Sequence, residues 1–171
     1  MRSTIRSLPD GFWTPFATAV IITVPALVGL AAGRPMLFPS LGPTALFQAH
    51  EPDHPSSKLY PVVVSHILGL GCAFLMVTLF GIGHEKSVFE LKHLTTARVA
   101  ATVLAVTLAA GLEMLLRAPH PPAAATTILV ALGTFKPNVR DAVTVIGAVL
   151  LVAAVGEVLR RLRAKPEGSR G

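Results

Sequence analysis

Ala118-Pro119-His120-Pro121-Pro122-Ala123-Ala124-Ala125-Thr126-Thr127 decides how this chain is read, because it starts a helix with prolines in the middle of an otherwise lipid-soluble sequence. In the first turn of a helix the missing proline N–H has no partner to lose. The remaining orphan N–H groups point off the end with roughly half a positive charge. Such an end suits an anion.

The surrounding 171 residues are 52% hydrophobic and only 14% charged, which is a membrane composition. The apolar residues come in blocks: Asp10 to Arg34, Lys58 to His84, Val99 to Leu112 and Ala142 to Gly156. With its flanks each block approaches the ~20 residues that a helix needs to cross ~30 Å of hydrocarbon. Four transmembrane helices follow. Arg2 and Arg6 before the first block would also suit a secretory signal, but Pro15 and Pro25, the length and the lack of a small-x-small cleavage site favour a span. The single Cys72 excludes an intrachain disulfide, and the net charge of +6 flanks apolar segments without aromatic platforms, so nucleic acid is not an expected partner.

With four spans, Arg2, Arg6, Lys86, Lys92, Arg98, Arg160, Arg161, Arg163, Lys165 and Arg170 lie on one side, and Arg34, Lys58, Arg117, Lys136 and Arg140 on the other. The larger group marks the cytoplasm. Both termini are therefore expected inside a multi-pass protein of the inner or plasma membrane. Two apolar segments remain, Pro35 to Ala49 and Ala118 to Phe135, both at the extracytoplasmic face. A helix from Pro122 to Phe135 would be about 21 Å long, too short to cross, and Pro39, Gly42 and Pro43 shorten the other further.

Both segments are expected to be re-entrant half-helices, giving an all-α polytopic membrane protein built as a single domain (1–171) of two structural repeats, 12–82 and 94–160, with a tail at 161–171. The rival topology makes both segments full crossings, with two inverted three-helix halves, and divides the basic residues nine to six.

Broken segments at matching places in two halves point to a transporter binding site. The candidate residues are Ser40, Gly42, Pro43 and Thr44 in the first half, and His120, Pro121, Pro122, Ala123, Thr126 and Thr127 in the second. Two helix starts aimed at each other would hold a small anion with hydroxyls and dipole ends, without trapping it against a full charge. Ser40 suits an N-cap. His120 can donate to the anion or carry a proton with it, and His66 is an intramembrane ionisable residue.

Glu113 and Arg117, four apart on one helix face, are expected to pair. Arg34, Lys58, Arg117, Lys136 and Arg140 would form a basic vestibule that concentrates anions. His50, Glu51, Asp53 and His54 lie in a proline-containing polar loop whose spacing does not suit a metal. Too few acids stand near the motif for a triad or a metal centre, so neither an enzyme nor a cofactor is expected.

The residues resemble the HPP family of integral membrane proteins, through His120-Pro121-Pro122-Ala123-Ala124-Ala125-Thr126-Thr127, Pro39-Ser40-Leu41-Gly42-Pro43-Thr44-Ala45 and His66 at the family's Gly-His position. The resemblance runs from about Trp13 to Arg160. It implies four transmembrane helices and, from relatives implicated in nitrite transport, a pathway for nitrite or a similar small monovalent anion. The chain departs from the family pattern where Leu59-Tyr60-Pro61 replaces Pro-Arg-Asn, Ser65 replaces the glycine of Gly-His, and Ala124 stands where glycine is common.

A channel or secondary transporter is thus the leading expectation. A membrane scaffold or sensor subunit without flux is the alternative, and an intramembrane enzyme a more remote one. Four spans make a thin barrier, so a homo-oligomer in the lipid bilayer is expected, most simply a dimer, with Ala100, Ala101, Ala105, Ala109 and Ala110 permitting close approach.

Overall fold

The computed structural model describes residues 9–163. In chain order the elements are α1 (Asp10–Ala32), α2 (Leu41–His50), a 3₁₀ turn (Pro55–Ser57), α3 (Leu59–Leu79), α4 (Val88–Leu91), α5 (Thr96–Leu115), α6 (Ala123–Ala131) and α7 (Val139–Arg163). The described residues contain helices and loops only. Helices α1, α3, α5 and α7 are long and apolar enough to cross a membrane, and they coincide with the four charge-free blocks. Arg2, Arg6, Lys165 and Arg170 lie outside the described residues.

Helices α1 and α5, one in each half, stop in the same way. After α1, Gly33 takes a left-handed conformation (φ 60°), its N–H bonding Leu30 O while that of Arg34 reaches back to Gly29 O. After α5, Arg117 does the same (φ 53°), with its N–H on Met114 O and that of Ala118 on Glu113 O. This closing motif uses up the last carbonyls and turns the chain sharply into a proline-rich stretch. Helix α4 is a single turn with a capping box, in which Ser87 and Glu90 bond reciprocally and hold the Glu90 carboxyl below its usual range.

Packing pairs the elements across the two halves. Helix α1 lies against α2 and α7, α5 lies against α6 and α3, α2 packs on α7, α6 packs on α3, and α3 packs on α7. Asp10 meets Arg163 at 2.5 Å, so the outer ends of α1 and α7 mark one end of the molecule, here the terminal end. At the opposite, distal end Arg34 donates to Arg140 O at 3.0 Å and to Thr144 Oγ1 at 3.1 Å.

The two proline segments do not return to the face they start from. Met36 abuts Gly147, Gln48 abuts Gly156, and Pro52 O takes a bond from Arg160 at 3.0 Å, so residues 36–52 run along α7 from the distal to the terminal end. The second segment runs the other way along α3. Leu116 O is bonded by Tyr60, Ala118 O by Ser65, Gly69 abuts Thr127, and Leu132 O is bonded by Val88 N.

The expectation of re-entrant segments assumed that only helix can cover the distance. Extended chain covers up to ~3.3 Å per residue, so residues 34–40 and a ten-residue α2 together reach roughly 38 Å. The path of the described residues therefore follows the rival topology, for which the sequence as a whole divides its basic residues nine to six. The five-residue vestibule divides accordingly. Arg34, Lys136 and Arg140 are distal, Lys136 bonding Glu85 O, whereas Lys58 and Arg117 are at the terminal end.

The core is made by small residues where helices touch. Ala101, Ala105 and Ala109 are buried inside the chain, on the α5 helix that packs on α3, so these three do not form a surface for a second copy. Gly156 is the closest approach: a Cβ there would meet the Gln48 amide, with Nε2 only 2.7 Å away. Gly156→Ala is expected to lower stability by about 1–3 kcal/mol through overpacking. Gly147→Ala, whose Cβ would meet only the mobile end of Met36 at 3.2 Å, serves as the comparison. Unfolding midpoints in detergent measure both, and equal midpoints would sink the assignment.

Candidate functional site

Helices α2 and α6 both start at mid-depth. Gly69, halfway along α3, lies against Ala123 and Thr127 of the first turns of α6. Ser40, at the start of α2, is directly across from α6: its hydroxyl bonds Thr126 Oγ1 at 2.7 Å. Each short helix is preceded by prolyl chain that descends from the opposite end of the molecule. The two helix starts thus meet, and α2 then runs to the terminal end and α6 to the distal end.

A continuous polar cluster fills the meeting point. Thr126 Oγ1 also lies 2.7 Å from His66 Nδ1, His66 Nε2 lies 3.0 Å from Thr44 Oγ1, and Thr44 Oγ1 lies 3.3 Å from His120 Nε2. The last imidazole is anchored by Ser56 O, 2.8 Å from Nδ1. Ser40, Thr44, His120 and Thr126 are fully buried and His66 is 1% exposed. The rings of His66 and His120 are 5.5 Å apart at 51°. No lysine or arginine takes part in these hydrogen bonds.

One fact orders the hydrogens. A carbonyl can only accept, so Ser56 O fixes the His120 proton on Nδ1 and leaves Nε2 as an acceptor when the ring is neutral.

The remaining predicted residues divide. Thr127 bonds back to Ala123 O at 3.3 Å, so its hydroxyl serves its own helix. Gly42, Pro43, Pro121 and Pro122 are outside the hydrogen-bonded cluster; Pro43, Pro121 and Pro122 line a shallow apolar groove with Leu46, Phe47 and His50. Ser40 stands at the N-cap of α2 but makes no side-chain cap, since its hydroxyl bridges to Thr126 instead. The first N–H groups of α6 are also engaged: Ala123, Ala124 and Ala125 bond the carbonyls of His120, Pro121 and Pro122.

Glu113 does not pair with Arg117, because the left-handed turn at Arg117 takes that side chain out of helical register. Glu113 is 8% exposed, and its carboxylate sits against the backbone N–H of His120.

Several partners were not visible in the sequence. Ser56 acts through its carbonyl, and only the His54-Pro55 start of its 3₁₀ turn, where His54 Nδ1 takes Ser56 N at 3.1 Å, hints at order there. Phe47 stacks edge-on against both His54 and His120, at 5.3 and 6.0 Å. Arg98 is 1% exposed and donates to Ala131 O and Ile82 O, each at 2.9 Å, closing the carbonyl end of α6.

A family model described as HPP, transmembrane region, matches residues 3–167. The chain belongs to the HPP family. Comparison with curated proteins and with solved structures finds no match. The match spans the whole described structure of this HPP protein, including the cluster formed by His120 and its partners. It is a multi-pass membrane protein, all-helical over its described residues, in which Asp10 and Arg163 meet at one end of the molecule.

Proposed function

We propose that this HPP protein moves nitrite or a similar small monovalent anion across the inner or plasma membrane, as a channel or secondary transporter and not as an enzyme. The observation that carries this reading is the buried polar cluster between two helix starts that approach mid-depth from opposite ends. Helix starts and hydroxyls favour an anion, and the Ser40–Thr126 bond at 2.7 Å is the contact that it would replace. Basic residues at both mouths, Arg34, Lys136 and Arg140 at one and Lys58 and Arg117 at the other, suit a path that concentrates anions from either side.

The halves read as inverted repeats. Helices α1 and α5 end in the same closing motif, and each packing pair in one half has its counterpart in the other. The nine-to-six division of basic residues supports cytoplasmic termini. Homo-oligomerisation remains part of this reading, with a dimer as its simplest form. A scaffold without flux is the second reading, favoured by the engaged N–H groups at the start of α6.

Nitrite uptake into proteoliposomes separates these readings. Uptake above protein-free vesicles, reduced at least tenfold in Ser40→Ala/Thr126→Ala, is the expected result. Purified, folded protein with no flux would leave the scaffold.

A further inference from the structure

We propose that the Thr44 hydroxyl is a two-position switch that lets the His66–His120 pair take up one proton with each anion that crosses; this rests on the anion-transport reading above. Thr44 Oγ1 lies within hydrogen-bond reach of His66 Nε2 at 3.0 Å, His120 Nε2 at 3.3 Å and Ser40 O at 3.0 Å, yet it has a single hydrogen to give.

With both rings neutral, one arrangement satisfies every group. Ser40 donates to Thr126, Thr126 to His66 Nδ1, His66 Nε2–H to Thr44, and Thr44 to His120 Nε2, while His120 Nδ1–H holds Ser56 O. A proton arriving from water adds to His120 Nε2. That nitrogen then donates to Thr44 Oγ1, and the Thr44 hydrogen turns to Ser40 O. Thr44 keeps its own hydrogen, no covalent bond in the chain breaks, and the ring gains one positive charge beside the helix starts. Release of the proton reverses each step.

No carboxylate hydrogen-bonds either ring. From α5, Glu113 meets His120 at its backbone N–H, on the same residue as the ring. From α7, Glu157 is held by Arg160 and Arg161 at 2.8 and 2.6 Å. Along the 3₁₀ turn, His54 is screened from His120 by Phe47. On α3, Cys72 is a free buried thiol. An anion entering a buried cluster without lysine or arginine needs a countercharge, and a proton on His120 supplies it.

The test uses wild-type protein in vesicles with an internal pH dye, nitrite as the probe and a potassium diffusion potential. The expected result is one proton taken up per nitrite, and accumulation that changes less than twofold when 100 mV is applied. Uncoupled passage of a monovalent anion would shift accumulation about fiftyfold. Thr44→Val is expected to cut the proton-to-nitrite ratio at least tenfold, and Thr44→Ser to keep it.

Voltage-sensitive nitrite flux without proton uptake would overturn the proton pair while leaving anion transport standing. Unchanged coupling in Thr44→Val would overturn the switch. Absence of any nitrite flux would remove the transport reading and this inference together. Where Thr44→Val fails to fold, Thr44→Ala is read in its place with the same two outcomes.

Discussion

His120→Asn should leave the protein folded and abolish its nitrite uptake, a loss of at least about 100-fold in proteoliposomes. An asparagine side-chain amide can still donate to Ser56 O, which His120 Nδ1 now holds at 2.8 Å, so the 3₁₀ turn keeps its anchor. It cannot be protonated in the working range, nor can its shorter side chain reach Thr44 as the imidazole does.

His120→Ala is the harsher comparison. It strands the Ser56 carbonyl in a buried place, at about 1–3 kcal/mol for a group left without a partner, and adds a cavity, while Thr44 keeps His66 and Ser40 O. Loss of flux in His120→Ala alone would therefore say little. The decisive pair of measurements is melting temperature and uptake for His120→Asn. A folded variant that still transports nitrite at the wild-type rate would remove this ring from the mechanism.

The largest effect on stability is expected at Arg98. Its two terminal nitrogens donate to carbonyls from different segments, Ala131 at the end of α6 and Ile82 after α3, each at 2.9 Å. Bonds from a charged donor contribute about 1.5–3 kcal/mol each, so Arg98→Met is expected to cost ~3 kcal/mol or more. Arg98→Lys should recover little, because a single ammonium does not reproduce the fork. The carbonyl end of α6 is also where the helix dipole welcomes a cation, which is how Arg98 is tolerated at 1% exposure without a salt bridge. Denaturation in detergent measures the loss. An Arg98→Met protein as stable as wild type would show that these bonds are replaced by others.

Much of this was legible in the residues. The charge-free blocks located α1, α3, α5 and α7, since hydropathy and length report directly on spanning helices. The two motifs also pointed at each other, and Ser40 and Thr126 do meet. What could not be read was direction. A stretch such as Pro35 to Ser40 has neither a helical nor a strand period, so its reach along α7 leaves no mark in the pattern. The short helices were legible, but not the extended chain that carries each of them to mid-depth.

Glu113 and Arg117 show the complementary limit. Their spacing implies a pair only while the helix continues, and the left-handed residue that breaks it is an arginine, which gives no warning of that conformation. The role of Ser56 was invisible for a simpler reason: its carbonyl, common to every residue type, is what holds His120.

Because α1 rests on α2 and α7, with Asp10 and the Trp13 ring both reaching Arg163 (the guanidinium carbon 5.6 Å from the ring centre), one of its two flanks finds a partner in α2 at once and the other only when α7 has been made. The two halves are interleaved. During insertion α1 must wait in lipid with one flank bare, and any truncation that removes α7 leaves it so.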